Sequence, residues 1–113
     1  MTSDPIFPNS RAYGYLALAL ARRAAMLAPN DANVLDTLAW VHHLSGDSGE
    51  AARVIVQALR DNPDQAVVRL HAAIIFATAG RTAAAEAQLN EALRLDPALE
   101  SSDDVRRVRQ ALP

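Results

Sequence analysis

Three histidines, His42, His43 and His71, and the carboxylate of Asp36 are the residues whose types could do acid–base or metal chemistry. Histidine titrates near neutral pH and is a frequent metal ligand. The spacing argues against both uses. No two of the histidines stand four residues apart, the separation that puts both ligands of an H-E-x-x-H zinc pair on one helix face. His42 recurs at helical spacing with the apolar Val34, Leu35, Leu38 and Val41 and reads as a core residue. The chain has no cysteine, which removes disulfides, thiolate metal sites and a cysteine nucleophile. It has no glycine-rich phosphate loop, and its serines and carboxylates gather at helix starts, where capping accounts for them. No catalytic residue, metal site or cofactor is expected.

The elements that would position these side chains are helical. Half of the 113 residues are hydrophobic but only 4% are aromatic, and Ala, Leu and Arg, all strong helix formers, are abundant. An all-α domain of closely spaced helices follows. The net charge of -2 leaves no basic excess to release counterions from a phosphate backbone, so nucleic acid is excluded as a partner. Residues 1–9 read as a polar arm without the basic and apolar regions of a signal peptide. No apolar run reaches the ~18 residues of a membrane span. The chain reads as soluble, with no direct membrane insertion and its compartment open. All eleven basic side chains are Arg, the bias of a GC-rich bacterial genome.

One step of 34 residues links Pro29, Pro63 and Pro97, and the same step links Ala17, Ala51 and Ala85, then Ala24, Ala58 and Ala92. Gly46 and Gly80 repeat it, as do Ala39 with Ala73 and Leu59 with Leu93. Each unit reads as a helical hairpin. In the second, Val34, Leu35, Leu38, Ala39, Val41 and His42 recur at helical spacing until Gly46, a residue suited to a left-handed turn past a helix end. Asp47 and Glu50 then form a capping-box-like pair, Asn62-Pro63 stops the second helix, and Asp64 is placed to cap the next.

These residues resemble the tetratricopeptide repeat, whose unit of about 34 residues carries small residues where its two helices cross. Ala39, Gly46, Ala51 and Ala58 match it in one unit and Ala73, Gly80, Ala85 and Ala92 in the next. The resemblance implies a short helical-hairpin solenoid of about five helices: a half repeat over 10–31, full repeats over 32–65 and 66–99, and a capping helix over 101–113. Arg69 and His42 depart from the family's apolar and aromatic preferences. The wording Leu35-Asp36-Thr37-Leu38-Ala39-Trp40 is similar to C-terminal repeats of large bacterial scaffold proteins of exopolysaccharide and PEP-CTERM sorting systems.

The resemblance implies a non-enzymatic module that holds a peptide or helix on its concave face. Carried onto this chain, that face comprises Asn33, Asp36, Thr37, Trp40, His43 and Leu44, followed by Val67, Leu70, His71, Ile74, Ala77 and Thr78. Trp40 has two readings, a groove anchor or a residue packed between hairpins. Some family members clamp a C-terminal carboxylate with Lys and Asn. Asp36, Trp40, Val67 and His71 occupy those sites here, so an apolar ligand fits better. A second surface competes with the groove. The first helix, with Tyr13, Leu16 and Leu20 on one side, is apolar almost all round, as expected of a helix covered by upstream repeats or by a second copy in a homodimer. A structural spacer with an empty groove is the alternative.

Overall fold

Glycine turns and capping side chains set most of the helix ends. The computed structural model describes residues 10–113, with side chains from residue 14 onward; the arm expected over 1–9 and the side chain of Tyr13 lie outside them. The described residues form α1 (Ser10–Leu27), α2 (Ala32–Leu44), α3 (Ser48–Asp61), α4 (Ala66–Thr78), α5 (Thr82–Leu95) and α6 (Asp103–Ala111), with a 3-10 turn at Pro97–Ser101 before the last. The fold is all-α, as expected, with six helices where about five were expected, the last of them in the place given to the capping helix.

Both hairpins reverse by the same device. Ahead of α3, Gly46 adopts φ +84°, its N–H donates to His43 O, and the next N–H, of Asp47, donates to His42 O. Ahead of α5, Gly80 adopts φ +77°, its N–H donates to Ala77 O, and that of Arg81 donates to Phe76 O. These bonds satisfy carbonyls that a helix end leaves bare, and only glycine reaches the left-handed region without strain. The helix starts are less uniform. Asp31 accepts from the N–H groups of Asn33 and Val34 at the start of α2, Asp47 accepts from Glu50 N, and Ser102 accepts from Val105 N. The Asp47–Glu50 pair is only half made, because the Glu50 carboxylate turns to Arg53. Asp64 does not cap α4: the capping position falls to Gln65, whose side chain makes no such bond.

Packing follows the small residues. Ala39, Ala51 and Ala58 in one hairpin, and Ala73, Ala85 and Ala92 in the next, have no exposed surface, so the paired helices meet at backbone distance there. The main core joins α2, α3 and α4 around Ile55, Ile75 and Val54. A second cluster holds Leu70, Ala73, Leu89 and Ala92 against Val105 and Val108 of α6. His42 is buried at 3% exposure, the core position expected of it. Arg69 donates from Nε to Pro63 O and from Nη1 to Gln88 Oε1, both at 2.9 Å, tying the inter-repeat turn to α5 where an apolar residue is usual.

Glycine substitutions have opposite signs at two positions. A Cβ at Gly80 meets nothing within 4 Å, so Gly80→Ala lowers stability through the backbone alone, by about 1 kcal/mol. Gly14 lies inside α1 with equally open space, and Gly14→Ala raises stability by about 0.5–1 kcal/mol. Urea denaturation of the two variants checks both signs.

Candidate functional site

The inner face is built by the first helix of each hairpin, because α2 and α4 lie side by side and α6 follows them in the chain's own phase. Asp36 on α2 meets His71 on α4: His71 Nδ1 lies 2.8 and 2.9 Å from the two carboxylate oxygens. The side chains are 15% and 22% exposed, so the bond is shielded from water and stronger than a surface pair. It places the Nδ1 proton toward Asp36 and orients the ring. Trp40, one turn beyond Asp36, meets two imidazoles in tilted contacts, with ring centroids 4.7 Å from both His43 and His71 and interplanar angles of 40° and 33°. Trp40 is half-buried, so its two readings combine: one face packs on His71 of the neighbouring hairpin while the rest borders a cleft.

That cleft has a volume of about 280 Å³. Trp40, His43 and Leu44 of α2 form one wall, and Ile74, Ala77 and Thr78 of α4 another. The third belongs to α6, through Asp104, Arg107, Val108 and Ala111. None of these α6 residues was expected at the groove. A signal was present, since one further step of 34 residues from Leu70, Ile74 and Ala77 lands on Asp104, Val108 and Ala111.

The predicted groove residues divide. Trp40, His43, Leu44, Ile74, Ala77 and Thr78 gather at the cleft, and Asp36 with His71 support it from beside Trp40. Asn33, Thr37 and Val67 are exposed but do not line it. Leu70 is a correction: at 3% exposure it is core, because α6 packs chiefly on α4 and lays Val105 and Val108 over it. On α1, Leu16 and Leu20 are 55% and 59% exposed. A separate cleft of about 440 Å³ runs between α1 and α2, from Tyr15 and Leu18 to Leu44, which borders both openings.

Among the described residues no three His, Asp or Glu side chains are grouped to hold a metal ion. Among them, too, no helix is long and apolar enough to cross a membrane. The His43 Nδ1 atom is buried without a hydrogen-bond partner. Burial first, and the neighbouring His71 second, hold the His43 imidazole below the ordinary 6.5.

Helical hairpins closed by glycine turns, stacked through alanines and presenting their first helices on one face, define a solenoid of the protein-holding class. A family model described as tetratricopeptide repeat matches residues 42–112, and the chain belongs to that family. A search of curated proteins returns no match. Tetratricopeptide repeats generally act as non-enzymatic modules of protein–protein interaction.

His43 yields a pH prediction. An imidazole whose pKa is depressed in the fold binds its proton more readily in the unfolded chain, so stability is full above 6.5 and falls as the pH drops below it. The urea midpoint is expected to decrease between neutral pH and about pH 5, and His43→Gln to flatten part of that decrease. Equal slopes in the two proteins would remove His43 from the account.

Proposed function

We propose that the chain holds a segment of another polypeptide at the cleft beside Trp40, with an apolar side chain of the ligand against the indole. The carrying observation is the cleft itself, in which an aromatic flanked by two imidazoles shares walls with small and aliphatic residues from three helices. Its size selects the ligand class. About 280 Å³ lies just under the ~300–1,000 Å³ of small-molecule pockets, so it suits one or two side chains of a peptide better than a cofactor. Asp104 and Arg107 at the third wall offer one charge of each sign to the ligand's backbone or flanking residues. The resemblance of Leu35 to Trp40 to repeats of bacterial envelope scaffolds supports a place in a larger assembly of that kind. A second reading, a self-associating segment, is favoured by the exposed side chains of α1.

Peptides selected from a displayed library against the whole chain, titrated by isothermal calorimetry, test the groove. Trp40→Ala is expected to weaken the selected peptides by ~2 kcal/mol or more, the scale of a buried aromatic anchor. Ile74→Ala should weaken them too, and Val67→Ala, away from the cleft, should not. Unchanged affinity in Trp40→Ala would refute the assignment.

A further inference from the structure

Helix α1 carries Tyr15, Leu16, Leu20, Met26 and Leu27 at 71%, 55%, 59%, 81% and 79% exposure. At 100° per residue these side chains fall in one arc of about 140°, wider than the ~100° stripe by which an amphipathic helix packs on a core. The opposite side, with Ala21 buried and Leu18 and Ala25 half-buried, already packs on the core that includes α2. α1 therefore has a second apolar face, left uncovered by the other described residues, with Tyr15 and Met26 at its edge bordering clefts shared with α2 and α3.

The repeat shows how much of that face an ordinary hairpin accounts for. Leu20 is equivalent by the 34-residue step to Val54, which is 2% exposed because α2 covers it, whereas none of the described residues covers Leu20 in that way. Tyr15, Met26 and Leu27 are different. Their equivalents are Gly49 and Ala83, Arg60 and Arg94, and Asp61 and Leu95; all but the half-buried Leu95 are exposed. An upstream hairpin would not cover these positions, and the large residues there need an occupant of another kind.

The distribution of side chains selects it. Reflected about position 21, the residues of the arc pair Tyr15 with Leu27, Leu16 with Met26 and Ala19 with Arg23, while Leu20 at the arc's edge falls level with Arg22. Large residues thus meet at both ends, and Arg23, the one charge inside the arc, meets alanine, which leaves room for its stem to pack and its guanidinium to reach water. An antiparallel pair of identical helices has this symmetry, as a two-fold interface requires. The five side chains expose roughly 650 Å² per copy, close to the ~800 Å² that each partner of a standard-size interface buries. The C-terminal helix of another copy is a poor occupant, since the outward face of α6 carries Arg106, Arg107, Arg109 and Gln110.

We propose that the occupant is a second copy of this chain, joined through an antiparallel α1–α1 contact about a two-fold axis level with residue 21. This proposal goes beyond the groove reading and stands independently of it. Sedimentation velocity of the whole chain, from micromolar to millimolar protein, should show the mass rise from one chain to two. Leu20→Glu and Tyr15→Glu alter exposed positions, so both should keep the helical circular dichroism and cooperative unfolding of the parent while weakening the dimer at least ~100-fold, because each buries two like charges in the contact. Ala19→Cys combined with Arg23→Cys, the pair that the reflection brings together inside the arc, should give an interchain disulfide on oxidation in a chain without other cysteines. Trp40→Ala should leave the mass unchanged, which separates this interface from the groove. A single-chain mass at millimolar concentration overturns the proposal, as does a dimer that persists in folded Leu20→Glu.

Discussion

Each hairpin depends on alanine at the crossing of its two helices. Ala39, Ala51 and Ala58 in one, and Ala73, Ala85 and Ala92 in the other, are wholly enclosed, and a longer side chain at any of them would force the axes apart or distort the turn. The close approach has further consequences. The chain must reverse within a few residues, which calls for the left-handed backbone at Gly46 and Gly80. It also fixes the spacing of α2 and α4, and with it the meeting of Asp36 with His71 and the tilted contacts of Trp40 with two imidazoles.

The constraint was legible in the sequence because it acts through residue type at fixed intervals. Alanine, glycine and proline recur with the period, and the helices, turns and tetratricopeptide character follow from them. The site was less legible, because it depends on what packs over it. Leu70 shares the phase of Asp36, yet one residue is core and the other lines the inner face. The difference comes from α6, which leans on α4 more than on α5, and no local pattern in α4 encodes that lean. Caps show the same limit: Asp64 has the right type and place, but α4 starts from Gln65 with no side-chain bond, held by burial of Val68 and Ala72.

The first and last described helices differ in the faces they turn outward. At the C-terminal end α6 turns Val105 and Val108 inward and leaves charge outside, so the last hairpin is sealed. At α1 the outward face is apolar, and Leu44 joins its cleft to the one beside Trp40. A polypeptide seated in one opening would share a wall with whatever fills the other.

The bond between Asp36 and His71 also has a mechanical meaning. A solenoid bends by small rotations between successive hairpins, and its elasticity is the sum of those joints. Asp36 and His71, 35 residues apart in the chain, pin one joint at its inner edge. Like a clip across one turn of a coil, that bond opposes opening of the solenoid at the step where the cleft lies.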